Sequence, residues 1–380
     1  MKIPYGKQYI DHKDRKSVMN ALSKELITTG PFVLKFEKKL EKYFNCNFAH
    51  VCSSGTSAIH LAMLSIGFMK GDVILMPAIN FIASYNMAKS LGAKIYLVDV
   101  DEYTGQITKK KILECIKKNK LKKIKALITM HHGGYPNDLI SFYKLKKKYK
   151  FYIIEDACHA LGAEYKFRKN KIKVGSCKHS DICTFSLHPV KTITSGEGGI
   201  VTTNNIKISN KIKLYRNHGI MRDPKHYWKY DVIKNGYNYR LSDLNCALGL
   251  SQLKKINSFV KARENVFKNY FDQLSNFNSK ILIPNYSKDI KPSFHLFIIN
   301  IHFAKMNSNK DHFIKYLNKN NIFPQFHYIP IYKFTAYKGS KKKLNGSEKY
   351  FNNSISLPIF FGLDKKNQKK VIDIIKKYFK

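Results

Sequence analysis

Short apolar runs alternate with segments of helical spacing along the first 205 residues. Seven of these runs have the length of a strand, and most are apolar at successive positions. This pattern predicts a sheet whose two faces are both covered by helices. The runs are HVCSS from His50, DVILMP from Asp72, KIYLVDV from Lys94, IKALITM from Ile124, FYIIED from Phe151, DICTFS from Asp181 and GIVTTN from Gly199.

Helical patterns lie between these runs. In TSAIHLAMLSIGF the apolar residues Ile59, Met63 and Ile66 recur at helical spacing, and DLISFYKLKKKYK forms a second such segment. Strand–helix alternation of this kind predicts an α/β fold with a mainly parallel, seven-stranded sheet.

The character of the chain changes after Arg240. A continuous helical pattern runs from a Ser242-Asp243 cap to about Leu274, followed by the short strand HLFIINI and the helices DHFIKYLNKN and KKNQKKVIDIIKKYF. We therefore expect a large domain at 1–250 and a smaller α+β domain at 251–380.

The charge of the chain raises the question of nucleic-acid binding. The 380 residues carry 68 Lys+Arg against 26 Asp+Glu, a formal net charge of +42. Nucleic-acid surfaces favour arginine for its bidentate contacts, yet arginine occurs here at 15, 168, 216, 222, 240 and 263 alone. The dense lysine run from Lys109 has helical spacing, typical of a solvated helix face. We expect no nucleic-acid partner; the charge can instead steer anionic substrates.

The cysteines and the hydropathy indicate the compartment. Seven cysteines without a CxxC pair predict neither a disulfide framework nor a metal site, and favour a reduced, cytoplasmic location. No apolar run approaches the length of about 18 residues that a membrane helix needs. The N-terminus lacks the apolar segment of a secretory signal.

Polar residues follow two of the buried runs. FYIIED delivers Asp156 to the carboxyl end of a strand, where α/β sheets bind ligands, although the alternative is a helix N-cap. DICTFSLHPVKTITSGEGG places Lys191 between a strand and a glycine-rich turn. A partly desolvated lysine loses its proton readily, and the neutral amine can form a Schiff base with an aldehyde. Lys191 with an anion for a ring nitrogen is the set that pyridoxal phosphate (PLP) requires.

Three further segments suggest ligand contacts. VCSSGTSAIHLAML places small polar residues at a helix start, suited either to a phosphate or to ordinary capping. Phe81 follows the run DVILMP and could stack on a flat ring, although core packing is the ordinary role of such a residue. The loop NGYNYR, rich in Asn and Tyr, favours binding over core.

Taken in order, several motifs resemble those of the DegT/StrS-type sugar aminotransferases. The resemblance covers the chain from about Ile3 to the C-terminus. It implies fold type I of the PLP-dependent transferases, the aspartate aminotransferase-like fold, in a homodimer whose active sites are shared between subunits. The motifs are SSGTSAIHLA, IIEDACHALGA, FSLHPVKTITSGEGG, RNHGI and GYNYRLSDLNCALGLSQL.

The resemblance also implies residue roles. Lys191 would bind PLP and shuttle the proton, and Asp156 would bind the ring nitrogen. His159 would lie near the ring, and Phe81 would stack on it. The phosphate is assigned to Gly55, Thr56 and Ser186, and Asn238 would reach this site from the neighbouring subunit. The sugar nucleotide is assigned to Tyr5, Glu25, Leu26, Ile27, Thr28, Ser186, Asn238, His327, Tyr328 and Tyr337, so that residues 1–30 contribute to the substrate site.

Within the family, the resemblance is strongest to a subgroup of pseudaminic acid biosynthesis that transfers the amino group of glutamate to C4 of a UDP-linked 4-keto-6-deoxy-N-acetylhexosamine. Two positions depart from that subgroup: Gly55 stands where alanine is frequent, and Cys158 where serine is usual. The alternatives are a C4 transaminase for another nucleotide keto-sugar, of perosamine or bacillosamine type, and a PLP-binding regulator without turnover. Lysine at 191 favours transamination, because dehydrating relatives carry histidine there.

Overall fold

The computed structural model describes residues 2–136, 138–226, 228–277, 279–306, 308–337 and 343–380. The strands are β1 (Ile3–Pro4), β2 (Phe48–Cys52), β3 (Val73–Pro77), β4 (Lys94–Val98), β5 (Ala126–Met130), β6 (Tyr152–Asp156), β7 (Glu164–Phe167), β8 (Asn170–Lys173), β9 (Ile182–Ser186), β10 (Gly199–Thr203), β11 (Ile220–Arg222), β12 (Tyr230–Val232), β13 (Ile281–Leu282), β14 (Ile290–Lys291), β15 (Phe297–Ile301), β16 (Ile322–Phe323) and β17 (Ser354–Leu357).

The α-helices are α1 (His12–Leu22), α2 (Pro31–Phe44), α3 (Gly55–Ser65), α4 (Ala83–Ser90), α5 (Lys109–Lys118), α6 (Leu139–Tyr149), α7 (Ile206–Arg216), α8 (Asp243–Leu253), α9 (Ile256–Leu274), α10 (Lys310–Lys319), α11 (Asn345–Asn353) and α12 (Lys365–Phe379). Short 3₁₀ helices occupy His132–Gly134, Phe303–Lys305, Ile331–Lys333 and Thr335–Tyr337.

A seven-stranded sheet in the order β2-β10-β9-β6-β5-β3-β4 forms the centre of the molecule. The strands β9, β6, β5, β3 and β4 pair in parallel, and β10 alone in this sheet is antiparallel to its neighbours. Each of the seven predicted runs forms one of these strands. The predicted α/β class and the mainly parallel sheet are therefore confirmed.

Burial explains why these segments lie in the centre of the sheet. Every residue of β5 and β10 is buried, as expected where helices cover both faces. Helix α3 buries eight of its eleven residues. At its start, Ser54 and Ser57 form a reciprocal capping box in which each side chain accepts the other's backbone N–H. Such a cap stabilises a helix by about 1 kcal/mol.

The long helix predicted from Ser242 to Leu274 is wrong in one respect: it is two helices, α8 and α9, that meet at Lys254 and Lys255. Lys255 has φ −102° and ψ 0°. Its ammonium lies 2.6 Å from the buried Asp14 carboxylate in α1, to which Gln252 also donates at 2.7 Å. These contacts hold the junction against α1. Helix α8 packs against α1 and α2, whereas α9 packs against α12.

The region after α9 has an antiparallel sheet in the order β13-β15-β17 together with α10, α11 and α12. The N-terminal strand β1 pairs with β16, Ile3 opposite Ile322, so the first residues of the chain lie beside this region. A division at residue 250, which lies inside α8, stays a prediction. Within the described residues, no helix has the length and hydropathy to cross a membrane.

Candidate active site

A cavity of about 570 Å³ lies where the parallel strands end. Asp156 is the last residue of β6, Ser186 is the last residue of β9, and Phe81 follows β3. Because the carboxyl ends of parallel strands meet at one edge of a sheet, these side chains converge. Ten predicted residues line this cavity: Tyr5, Gly55, Thr56, Phe81, Asp156, His159, Ser186, Lys191, His327 and Tyr328.

Lys191 lies in the turn after β9, where its N–H donates to the carbonyl of His188 at 2.9 Å. Burial lowers the pKa of the Lys191 amine. The charge of Arg263 acts in the same direction, and the opposing effects of Cys158 and Asp156 are smaller than that of burial. The cavity therefore favours the neutral amine, which is the nucleophilic form.

Asp156 is 2% exposed. Its carboxylate accepts a hydrogen bond from the backbone N–H of Cys158 at 3.2 Å and one from the Ser84 hydroxyl at 3.4 Å. Within the described residues, no cation forms an ion pair with it at 4.0 Å or less. A buried carboxylate is costly unless it is paired, so this position suits a cationic ligand group.

The start of α3 forms a narrow cradle against β9. The Ser54–Ser57 capping box uses the N–H groups of Ser54 and Ser57 and leaves those of Gly55 and Thr56 free of it. This segment can therefore cap the helix and also contact a ligand. The first-turn N–H groups of Gly55 and Thr56 have no acceptor within the helix. A Cβ added to Gly55 would lie 2.9 Å from the Cβ of Ser186. Glycine therefore brings backbone N–H groups close to the Ser186 hydroxyl, a donor set that suits a phosphate.

Buried histidines and tyrosines form the opposite wall of the cavity. The backbone N–H of Gly133 donates to His159 Nδ1 at 3.3 Å, and His159 Nε2 lies 2.9 Å from the Tyr328 hydroxyl. The His295 ring lies 4.3 Å from that of His159. Burial places the pKa of His159, His295 and His327 well below the ordinary value, so these side chains are neutral.

The N-terminal segment completes this wall. Tyr5 accepts a hydrogen bond from the Ile359 N–H through its carbonyl at 3.0 Å, and its ring lies 5.4 Å from that of His327. His327 Nδ1 is 2.9 Å from the hydroxyl of Ser356. Residues from both ends of the chain thus meet at the cavity.

The other predicted residues lie outside this cavity. Residues 22–29, which include Glu25, Leu26, Ile27 and Thr28, are all exposed. Asn238 is also exposed, next to Tyr239, whose carbonyl accepts the Ser53 N–H at 2.9 Å. Tyr337 lines a neighbouring cavity and donates to Asn86 Oδ1 at 2.5 Å.

Several residues in or beside the cavity were not predicted, among them Asn80, His295 and Arg263. Asn80 lines the cavity and is 1% exposed, and among the described residues neither of its amide atoms has a hydrogen-bond partner. His295 packs on His159, and Arg263 donates to the carbonyls of His295 and Ile359 at 3.3 and 2.8 Å. Asn80 had a detectable signal, since it is a polar residue three positions after a buried strand. His295 and Arg263 reach the site through tertiary packing and have no comparable local signal.

These features fit PLP. The Lys191 amine, the buried Asp156 carboxylate, the cradle at α3 and the exposed face of Phe81 suit, in this order, the aldehyde, ring nitrogen, phosphate and ring of that cofactor. A mainly parallel seven-stranded sheet with this donor set at its carboxyl edge defines a PLP-dependent enzyme of fold type I.

Comparison with known proteins identifies the family. Residues 8–376 match the model of the DegT/DnrJ/EryC1/StrS aminotransferase family. A Campylobacter jejuni UDP-4-amino-4,6-dideoxy-N-acetyl-beta-L-altrosamine transaminase is 37% identical, over 98% of this chain and 96% of its own. PseC of Helicobacter pylori, an aminotransferase of pseudaminic acid biosynthesis, superimposes with a TM-score of 0.90 at 28% identity, covering 100% of this chain and 99% of its own. The chain belongs to the DegT/DnrJ/EryC1/StrS aminotransferase family, a family of PLP-dependent enzymes.

A further solved structure has the same fold. A sugar aminotransferase from Streptococcus pneumoniae has been solved in a PLP form and in a PMP form. It shares the fold of this chain with a TM-score of 0.89 at 24% identity, over 99% of this chain and 98% of its own.

Proposed function

We propose that this protein transfers the amino group of glutamate to C4 of a UDP-linked 4-keto-6-deoxy-N-acetylhexosamine. The product would be UDP-4-amino-4,6-dideoxy-N-acetyl-β-L-altrosamine, for pseudaminic acid biosynthesis. One observation carries the proposal: a single cavity holds both Lys191, whose amine has a lowered pKa, and the Asp156 carboxylate, which forms no ion pair among the described residues. The similarity to the transaminase named above supports this substrate.

Bound PLP supplies a ring that withdraws electrons from the carbon that loses or gains the proton. Lys191 Nζ holds the cofactor through its aldehyde carbon and, when released, moves the proton at that carbon. Asp156 accepts a hydrogen bond from the ring nitrogen and keeps that nitrogen protonated. Phe81 covers one ring face.

The remaining contacts orient the two ligands. Gly55, Thr56 and Ser186 hold the phosphate through backbone N–H groups and hydroxyls, as the N-terminus of a helix favours. Tyr5, His327 and Tyr328 face the sugar. Their closely packed wall excludes water from the reacting atoms, which strengthens each electrostatic contact.

The active enzyme is a homodimer in this proposal. Exposed apolar residues are concentrated in two segments, 22–29 and 228–238, which we call the surface segments. Large apolar side chains that remain exposed in this way favour an interface. Asn238, in the second segment, would complete the partner's site. The expected location is the cytoplasm, in keeping with seven free cysteines.

The test combines a spectrum with product analysis. We expect purified protein with PLP to show a visible absorption band that glutamate bleaches and 2-oxoglutarate restores. Protein that has been bleached with glutamate should aminate the UDP-linked 4-keto sugar, and NMR of the product should place the new nitrogen on C4.

Three outcomes contradict parts of the proposal. A band that glutamate does not bleach favours the regulator without turnover. Amination of a GDP-linked keto-sugar in preference to the UDP-linked one overturns the substrate assignment. The absence of a visible band after incubation with PLP contradicts the enzyme class.

A further inference from the structure

The hydrogen bonds at His159 have a fixed direction. A backbone N–H can only donate, so His159 Nδ1, which lies 3.3 Å from the Gly133 nitrogen, must accept. Nδ1 therefore carries no proton. His159 is buried and its pKa is well below the ordinary value, so the ring is neutral and its one proton is on Nε2.

This tautomer determines the role of the Tyr328 hydroxyl. His159 Nε2 lies 2.9 Å from that oxygen and donates to it. The phenolic proton of Tyr328 then points away from His159 and needs another acceptor. Within the described residues, the Tyr328 hydroxyl forms no second hydrogen bond.

Tyr328 presents this proton to the cavity. The side chain lines the cavity together with Lys191 and Asp156, and its ring lies 5.8 Å from that of Phe81. The negative charge of Asp156 is near enough to raise the pKa of Tyr328, after the larger effect of burial. The phenol is therefore protonated, in the same cavity as the Lys191 amine and the Asp156 carboxylate.

We propose that Tyr328 is a directed hydrogen-bond donor whose O–H, oriented by the chain Gly133 N–H to His159 to Tyr328, binds an oxygen acceptor of the ligand that occupies the cavity. The acceptor is a phenolic oxygen on the cofactor ring or the keto oxygen of the substrate. His159 is a positioning residue in this arrangement. The inference rests on the proposed function, because it needs a ligand with such an oxygen.

The first variant is Tyr328→Phe, which removes the O–H and keeps the ring. Tyr332→Phe is the matched control. Tyr332 lies on the same segment, but it donates to Glu348 at 2.9 Å and faces the neighbouring cavity. Both variants are compared with wild type in PLP affinity, in the cofactor spectrum as a function of pH, and in the two half-reactions measured separately.

The two acceptors give different results. A cofactor oxygen predicts that Tyr328→Phe weakens PLP binding about 10-fold and shifts the absorption maximum before any sugar is added. A sugar oxygen predicts an unchanged spectrum and glutamate half-reaction, with the sugar half-reaction slowed roughly 10- to 1000-fold in kcat. Tyr332→Phe should match wild type in both cases.

The second pair of variants tests the direction of the chain. His159→Gln retains one acceptor and one donor, and should keep more of the wild-type PLP affinity and half-reaction rates than His159→Leu. His159→Leu retains neither and should resemble Tyr328→Phe. This pair keeps the inference testable if Tyr328→Phe fails to fold.

The inference is overturned if Tyr328→Phe equals wild type in spectrum, PLP affinity and both half-reactions, or if His159→Gln and His159→Leu behave alike. Failure of the proposed function looks different. In that case wild-type protein itself would lack the PLP band or its response to glutamate.

Discussion

The cavity and the surface segments differ in how far one chain completes them. In the cavity, a single chain brings ten predicted residues together, and Lys191 and Asp156 are enclosed there. In the surface segments, Glu25, Ile27 and Asn238 are exposed and do not line the cavity. In the proposed homodimer, this difference assigns Lys191 and Asp156 to each chain's own cavity and Asn238 to the cavity of the partner.

The surface segments carry apolar side chains that a single chain leaves exposed to solvent. Trp228, Tyr230 and Val232 are more than half exposed, although apolar side chains of this size are ordinarily buried. The loop with Asn238 is held close to its own α3 by the Ser53–Tyr239 hydrogen bond. An exposed apolar surface beside the site suits a partner that covers it and adds groups to it.

The largest expected effect comes from the centre of the cavity. Lys191→Ala removes the amine that holds the cofactor and moves the proton, so kcat should fall by roughly four orders of magnitude or more. Steady-state assays with glutamate and the keto-sugar measure this loss. Lys178→Ala is the control, because Lys178 is an exposed lysine outside the cavity. Turnover within tenfold of wild type in Lys191→Ala would remove the catalytic assignment.

Asp156→Ala should have the next largest effect. Without the carboxylate the ring nitrogen loses its proton, and kcat should fall about 10²- to 10³-fold. Asp156→Glu keeps the charge and should recover part of the rate. The cofactor spectrum should also change, because it reports the protonation of the ring. A near-normal kcat in Asp156→Ala would contradict the role of this residue.

Asn238→Ala tests whether a second chain contributes to the active site. We expect weaker PLP retention in a protein that stays dimeric. Subunits carrying Lys191→Ala and Asn238→Ala, mixed in equal amounts, should regain about a quarter of the wild-type sites, because half of the dimers hold one intact site. Sedimentation and activity measured on the same mixture test this. If activity does not recover on mixing, Asn238 serves its own subunit.

Acid sensitivity is the smallest expected effect, and it concerns His132, whose ring lies 6.0 Å from the rings of His159 and Tyr328 in the cavity wall. Burial lowers the pKa of His132 to about 3, below its unfolded value near 6.5. Between these values the unfolded chain binds more protons, so stability is lost as the pH falls through this window. The slope is at most about 1.4 kcal/mol per pH unit for each such histidine. Urea unfolding at several pH values measures it.

His132→Gln should reduce that slope, provided that the variant folds with its contact to Tyr350 replaced. The relevant comparison is the change in unfolding free energy between pH 7 and pH 5, not its absolute value. A wild-type protein equally stable at both pH values would contradict the buried, neutral state of His132.

Local patterns were sufficient to predict the central sheet. All seven strands could be located because each is a short, continuous apolar run, and burial on both faces leaves that pattern in the sequence. Asp156 could be singled out because it ends a buried strand at the edge of the sheet where ligands bind, and Lys191 because it lies between a strand and a glycine-rich turn. The motif resemblance added Phe81 and the α3 cradle, which local patterns left open.

Other features depend on contacts between distant segments. The break between α8 and α9 follows from Lys255 meeting Asp14, 241 residues away, and helical periodicity continues through it. Arg263 is a charged residue on a helix, where solvent exposure is the ordinary expectation, yet it is 2% exposed and holds the carbonyl of His295.

The amino-acid sequence by itself therefore determined the class of fold and the order of the central strands along the chain, and it singled out Lys191 and Asp156 as candidates, because hydrophobic periodicity and the polar residues that follow it are local properties. The tertiary structure decided which side chains face each other. It placed Tyr5 beside His327, oriented His159 toward Tyr328 and left Asn238 outside the cavity. These contacts join residues far apart in the chain, so they form only when packing brings distant segments together.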